Sequence, residues 1–250
     1  MVGADGLHST VRALAFGPED RFEHFMGYTV AAFETTGYQP RDEEVYVAYS
    51  LPGRQIARFS MRENRTMFLL VIADSGVTVD PRDRQAQSRY LHQQFDGGKW
   101  ESKAILEAMD AAEDLYFDRV SQIRLDSWTR GRITLLGDAA FAPSLLAGQG
   151  SALAMIGAYV LAGELMRAPQ MEEGLAHYES LLHGFMLKKQ LAAGAFAKSF
   201  APHTRWGIWM RNQVTRAFAV PFVARWALGD SLADRIELPD YAPRQDVIHR

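Results

Sequence analysis

Apolar and polar positions alternate with a period of two in the first half of the chain, which is the signature of β-strands. In the segment "EEVYVAYSL", four larger apolar positions alternate with three positions of the other face: Val45, Val47, Tyr49 and Leu51 against Tyr46, Ala48 and Ser50. Turn signals follow at Pro52-Gly53 and in "RENR". Residues 28–72 are therefore predicted to form an antiparallel meander rather than a βαβ repeat.

The pattern changes to helical spacing after this sheet. Residues 81–110 are predicted helical with a break at Gly97-Gly98, and residues 115–128 read as a strand or a strand pair. A short strand is predicted at 132–136, and the chain is mostly helical from residue 149 onward.

The stretch "RITLLGDAAFAPSLLAGQGSALAMIGAYVLAGEL" (132–165) combines a strand, a glycine-rich loop and a helix with almost no charge. Such a helix is predicted to be buried. Its first N–H groups have no partner inside the helix, and glycines there allow close approach of a ligand, so Gly148-Gln149-Gly150 is predicted to seat an electron-rich group. Asp138, just past the strand end, could accept hydrogen bonds from sugar-like hydroxyls. The alternative is that Asp138 caps a helical turn and the glycines only form a loop.

Composition narrows the function classes. The chain has 250 residues, 48% of them hydrophobic, and a net charge of −3, which argues against a nucleic-acid binder. There is no cysteine, the N-terminus does not resemble a signal peptide, and a cytoplasmic location is predicted. Neither a metal-binding H-E-x-x-H nor a hydrolase G-x-S-x-G is present, so no metal site and no side-chain nucleophile are predicted.

Two motifs together resemble a known family. "GADGLHSTVR" (3–12) and "RITLLGDAAFAPSLLAGQGSALAMIGA" (132–158) resemble the Asp-Gly and Gly-Asp motifs of the flavoprotein aromatic hydroxylases, the single-component FAD monooxygenases of the p-hydroxybenzoate hydroxylase type. The resemblance implies a mixed α/β (α+β) fold. It implies a partial FAD-binding domain at 1–20 and 126–170, a substrate-covering antiparallel sheet with helices at 21–125, and a C-terminal helical region at 171–250.

The resemblance also implies roles for the Gly-Asp motif. Asp138 would bind a ribityl hydroxyl of FAD, and Pro143 would lie beside the isoalloxazine. Gly148, Gln149 and Gly150 would offer backbone N–H groups to the pyrimidine edge of the flavin.

For the Asp-Gly motif, the resemblance implies that Asp5 and Gly6, with Arg12 nearby, lie by the pyrophosphate and help a nicotinamide nucleotide to engage. NAD(P)H would reduce FAD, and a flavin hydroperoxide would hydroxylate an aromatic or other hydrophobic ring substrate.

The sequence departs from the family's pattern in two ways. Phe141, Ala152 and Gly157 stand where the family often has His, Asn and Asp. The Gly-x-Gly-x-x-Gly turn that holds the ADP half of FAD is absent, so the chain is expected to be the C-terminal part of a hydroxylase.

Three alternatives stay open at this point. The chain could be a non-catalytic fragment or a subunit that needs a complementing N-terminal ADP-binding chain. Halogenases and reductases of isoprenoid chains share the flavin fold. The basic, aromatic-rich stretch from Lys198 to Trp226 could lie at a membrane interface, although packing on protein with its arginines outward is favoured.

Overall fold

The chain is divided into two compact units. The structure is a computed structural model that describes residues 1–73, 79–218 and 236–241. The first unit comprises Met1–His24 and Gln122–Ala193, together with the described residues at the C-terminus. The second unit comprises Phe25–Ser121 and residues 194–218.

Strands and helices both contribute, which confirms the predicted mixed α/β class. In the described part of the chain the strands are β1 (Val2–Gly3), β2 (Glu23–Thr36), β3 (Tyr46–Leu51), β4 (Arg54–Ser60), β5 (Arg65–Ala73), β6 (Tyr116–Ile123), β7 (Thr129–Arg130) and β8 (Ile133–Leu135). The helices there are α1 (Thr10–Ala15), α2 (Arg84–Phe95), α3 (Ser102–Ala111), α4 (Asp138–Phe141), α5 (Gly150–Arg167), α6 (Met171–Phe200) and α7 (Arg205–Phe218).

A three-stranded sheet in the order β1-β8-β7 organises the first unit. The short strands β1 and β8 run parallel, with Val2 opposite Thr134 and Gly3 opposite Leu135. The core beside this sheet includes Leu135, Phe141, Val160 and Tyr178, and the Tyr178 hydroxyl donates to the Leu135 carbonyl at 3.1 Å. Because the strands are parallel, both end at the same edge of the sheet.

A five-stranded sheet in the order β3-β4-β5-β2-β6 organises the second unit. Strands β3, β4 and β5 form the predicted meander, but β2 lies beside β5, with Val30 opposite Val71. The prediction of one continuous meander is therefore wrong for β2, because the long β2–β3 connection lets the chain cross the sheet. Apolar residues from α2 and α3, such as Leu91 and Leu106, form a core with one face of the sheet.

Two helix predictions need correction. The helix predicted from residue 81 begins at Arg84, where the Asp83 carboxylate accepts from the Ala86 N–H at 2.9 Å. The helix α5 is buried on one face only. Its other face exposes large apolar residues: Met155, Tyr159 and Met166. A helix of small and apolar residues carries no periodic signal, so its sequence does not mark which face meets a partner.

Most of the described part of the basic C-terminal stretch lies in α7, which contacts β3. The tryptophans point outward, with Trp206 69% and Trp209 56% exposed, whereas Arg211 is half-buried and contacts the sheet. The expectation that the arginines face outward is therefore wrong for Arg211. The predicted aromatic and basic positions Phe222, Arg225 and Trp226 lie outside the described residues.

The membrane-interface alternative for this stretch stays a prediction. Within residues 1–73, 79–218 and 236–241, no helix has the length and apolar character needed to cross a bilayer.

Candidate functional site

The two sequence motifs meet at one edge of the three-stranded sheet. The Leu136 N–H donates to the Gly3 carbonyl at 2.8 Å, which continues the β1–β8 pairing into the turn before the Gly-Asp motif. Asp5 follows β1 and Asp138 follows β8, so both carboxylates lie past the carboxyl ends of parallel strands, where open α/β sheets bind ligands.

The Asp5 carboxylate holds the start of α1. It accepts from the Ser9 hydroxyl at 2.5 Å and from the Val11 N–H at 3.0 Å, and Ser9 is the N-cap. Desolvation raises the pKa of Asp5, but these hydrogen bonds outweigh it, so the pKa lies below its ordinary value. Gly6 has φ 83°, a conformation that favours glycine, and open space lies where a side chain would be. The turn therefore keeps an uncrowded backbone surface beside Asp5.

Arg12 clamps the two motifs together. Its fully buried guanidinium donates to the Ala139 carbonyl at 3.1 Å, to the Leu7 carbonyl at 2.6 Å and to the Glu19 carboxylate at 2.6 Å. Burial lowers the pKa of Arg12, and Glu19 opposes that change. Because the terminal nitrogens already meet protein acceptors, the predicted contact between Arg12 and a pyrophosphate would require one of these bonds to break.

Asp138 is the first residue of α4. The residue before it, Gly137, has a backbone conformation and close packing that favour glycine. Gly137 has φ 63°, and a Cβ atom there would lie 3.3 Å from the Ala154 Cβ. The Asp138 side chain is exposed, and no donor from the described residues lies within hydrogen-bond distance of its carboxylate. Desolvation by the surrounding protein nevertheless raises the pKa of this carboxyl. The alternative that Asp138 acts only as a helix cap is not supported, because the cap position is Gly137.

The N-terminus of α5 lies against the Asp138 carboxylate. A Cβ atom added to Gly150 would lie 3.5 Å from Oδ1 of Asp138. Gln149 is the N-cap and makes no side-chain cap bond. In the described part of the chain, neither the Gln149 N–H nor the Gly150 N–H has a hydrogen-bond acceptor. These two amides are thus available to a ligand.

Gly148 differs from the other two predicted donors. Its N–H already donates to the Leu145 carbonyl at 3.1 Å, closing a short 3₁₀ turn. Its φ of 64° turns the chain into α5. We therefore assign Gly148 to shaping the loop and keep only the Gln149 and Gly150 amides as candidate donors.

Pro143 is buried in a loop that two glutamines hold. The Gln122 side chain donates to the Pro143 carbonyl at 2.7 Å, and the Gln190 side chain donates to the Ala142 carbonyl at 3.2 Å and to the Ile123 carbonyl at 2.6 Å. The sequence reasoning missed both glutamines. Each is a polar residue among apolar neighbours, one near the end of β6 and one on α6. A buried polar side chain needs hydrogen-bond partners, so this pattern could have indicated a structural role.

Two of the departures from the family's pattern pack against each other. A Cβ atom at Gly157 would lie 3.0 Å from Cζ of Phe141 and 2.8 Å from Cδ1 of Leu136. The Phe141 ring centroid lies 4.8 Å from that of Trp128. The aromatic ring at 141 therefore fits because residue 157 has no side chain.

The site presents an acceptor next to unused donors. A ligand that fits must offer hydroxyl donors to the Asp138 carboxylate and carbonyl-like acceptors to the Gln149 and Gly150 amides. The ribityl chain and the pyrimidine edge of FAD offer those two kinds of group, so the residues present fit this cofactor.

Comparison with known proteins agrees with this geometry. The FAD binding domain family matches residues 1–185. A flavin-dependent monooxygenase from an unknown prokaryotic organism is 35% identical over 80% of this chain and 52% of its own. Monooxygenase CTB7 of Cercospora beticola is 33% identical over 96% of this chain and 61% of its own. The crystal structure of tetracycline destructase Tet(55) superposes with a TM-score of 0.76 at 29% identity, covering 96% of this chain and 62% of that one.

The chain belongs to the FAD binding domain family, and its relatives include flavin-dependent monooxygenases. The resemblance read from the two motifs is thereby confirmed, and FAD is the family's cofactor. The chain spans about half the length of the first relatives it matches, 51% and 52%.

Proposed function

We propose that the chain acts in an FAD-dependent monooxygenase that uses NAD(P)H to hydroxylate an aromatic or other hydrophobic ring substrate. The observation that carries this proposal is the Asp138 carboxylate beside the unused amides of Gln149 and Gly150. When bound, FAD supplies the redox chemistry: NAD(P)H and a proton are consumed with O₂, one oxygen atom enters the ring, and the other leaves as water.

The chain's own residues would bind and orient the cofactor. The Asp138 carboxylate would accept from a hydroxyl of the ribityl chain. The first amides of α5, at the positive end of the helix dipole, would favour negative charge on the pyrimidine edge. Because Gln122 and Gln190 fix the loop that carries Pro143, that loop would form a rigid wall beside the ring.

The face of the five-stranded sheet away from α2 and α3 supports an apolar ring as substrate. Alternation along the strands places four short or apolar residues in one row across that face: Ala32, Leu69, Ala57 and Ala48. The neighbouring row is formed by Glu34, Met67, Phe59 and Tyr46. Ala57 is buried, but Ala48 is exposed, so a flat ring could lie against that end of the row with the larger side chains at its edge. That residues 21–125 contain the substrate-covering sheet stays a prediction.

Titration of the purified chain with FAD tests the proposal directly. We expect quenching of the flavin fluorescence at a stoichiometry of one, and stimulation of NADH or NADPH oxidation by hydrophobic ring compounds, with hydroxylated product detected by mass spectrometry. A chain that stays colourless and leaves flavin fluorescence unchanged would contradict the proposal and support a non-catalytic role.

A further inference from the structure

Gln122, near the end of β6, is a polar side chain that is 0% exposed and uses both ends of its amide. The amide nitrogen donates to the Pro143 carbonyl and to the Gln190 carbonyl, each at 2.7 Å. The amide oxygen accepts from Nε of Arg124 at 3.1 Å and from Nη2 of the same residue at 2.7 Å. Gln122 therefore connects a charged side chain to the loop that carries Pro143.

These partners allow one orientation of the Gln122 amide. If its nitrogen and oxygen exchanged places, the nitrogen would face the donors of Arg124 and the oxygen would face two carbonyls. Because a guanidinium has donors only, Arg124 keeps the amide oxygen toward itself and the N–H groups toward Pro143. A bond to a charged donor also polarises the amide, which strengthens its donation to the carbonyls on the other side.

The contacts of the second glutamine make the network continuous. Gln190 on α6 donates to the Ala142 and Ile123 carbonyls, while its own backbone carbonyl accepts from Gln122. The two side chains thus join the end of β6, the loop and α6. Among the described residues that bond to these two side chains, Arg124 is the charged one.

Arg124 extends from a fixed point of the main chain. Its backbone N–H donates to the Phe22 carbonyl at 3.0 Å. The residue is half-buried and borders a cavity of about 210 Å³, which Leu125, Trp128 and His183 also line. Because space adjoins the side chain, a shorter or uncharged side chain can replace it without steric overlap.

We propose that Arg124 is a positioning residue for the flavin site and acts through Gln122. Its two donations fix and polarise the Gln122 amide, which holds the Pro143 carbonyl and with it the wall beside the isoalloxazine. This inference rests on the proposed function, because the position of the Pro143 loop affects binding only if a flavin lies against it. Arg124 itself makes no contact with FAD in this role.

A double-mutant cycle, read by flavin-fluorescence titration of the whole chain, tests this route. Arg124→Met should raise the dissociation constant for FAD about 3- to 10-fold, because the amide loses its charged donor. In the Gln122→Met background the same change should have less than about a twofold effect, because the side chain that transmits it is gone. Equal effects in the two backgrounds, or no effect in either, would overturn the proposal.

Thermal melting and two further variants separate positioning from a purely structural role. Arg124→Lys keeps the charge and should retain part of the FAD affinity. Arg132→Met, the same change at an exposed arginine of the same unit, should leave FAD binding unchanged. If Arg124→Met lowers the melting temperature of the FAD-free chain and leaves the FAD affinity as it was, the role is structural and the proposal is wrong.

NMR of the unmodified chain covers the case in which the variants do not fold. The side-chain N–H signals of Gln122 should exchange slowly with solvent and shift when FAD is added, and fast exchange or unchanged signals would contradict the proposal. FAD titration separates the two ideas. No FAD binding by the unmodified chain contradicts the proposed function, and this assignment falls with it, whereas FAD binding that Arg124→Met leaves unchanged contradicts only the role of Arg124.

Discussion

Replacing Asp138 by Asn should weaken FAD binding and, in the absence of FAD, stabilise the fold. The carboxylate has no donor among the described residues, so removing its charge breaks no protein contact. With FAD bound, the change would exchange a charge-assisted hydrogen bond, which contributes about 1.5–3 kcal/mol, for a neutral one of about 0.5–1.5 kcal/mol. This loss of about 1–1.5 kcal/mol should raise the dissociation constant about 5- to 12-fold.

The stability effect follows from the direction of the pKa shift. Desolvation raises the pKa of Asp138 above its ordinary value of 3.8, so between the unfolded and folded pKa values the folded chain binds more protons than the unfolded chain. Stability then falls as the pH rises through this window, and the penalty is complete above it. Asn carries no such penalty, so the variant should gain stability at neutral pH and no advantage below pH 3.8. The gain should be small, because the residue is exposed and solvent screens its charge.

Flavin-fluorescence titration measures the first effect, and thermal melting of the FAD-free chain at pH 7 and near pH 3.5 measures the second. Asp126→Asn, at an exposed position of the same unit, is the matched control and should change neither. An Asp138→Asn variant that binds FAD within twofold of the unmodified chain would refute the reasoning.

Three further predictions concern stability and are read by thermal melting. Gly163→Ala should be strongly destabilising, since its methyl group would overlap the Tyr241 ring. Gly184→Ala, with nothing within 4 Å, should stabilise α6 by about 0.5–1 kcal/mol, and similar melting of both variants would contradict this. Arg12→Gln should cost about 1–3 kcal/mol, because it leaves the buried carbonyl acceptors of Leu7 and Ala139 without their donor, and a loss below 1 kcal/mol would count against the clamp. Gly157→Asp should be destabilising alone and less so with Phe141→His, by a coupling of about 0.5–3 kcal/mol; strict additivity would show that the two positions are independent.

The sequence predicted local elements because short-range patterns decide them, whereas the meeting of the two motifs, more than a hundred residues apart, was implied only by the family resemblance. Alternation in "EEVYVAYSL" and the turn at Pro52-Gly53 correctly predicted β3 and the turn into β4. The place of β2 in the sheet could not be predicted, because residues on β5, far along the chain, select its partner.

Side-chain partners were harder to predict than elements. The resemblance implies that Arg12 lies by the pyrophosphate, yet one of the acceptors that hold its guanidinium is the Ala139 carbonyl, 127 residues away, which local sequence cannot indicate. The exposed face of α5 could not be predicted either. The helix is apolar on both sides, and which side is buried depends on what packs against it.

Whether a group in the two motifs already has a hydrogen-bond partner in the protein distinguishes structural residues from candidate ligand-binding residues. Asp5 and the Gly148 N–H meet protein partners, so a ligand could gain their bonds only by breaking existing ones. Asp138 and the Gly150 N–H lie side by side without forming a bond to each other. If the first N–H groups of α5 donated to the Asp138 carboxylate, the carboxylate would cap the helix and neither group would be available to a ligand. Because the carboxylate and the amides form no hydrogen bond to each other, the ligand-free chain lacks the free energy of unfolding that such bonds would add. A ligand with matching hydroxyl and carbonyl groups supplies these bonds and stabilises the fold when it binds.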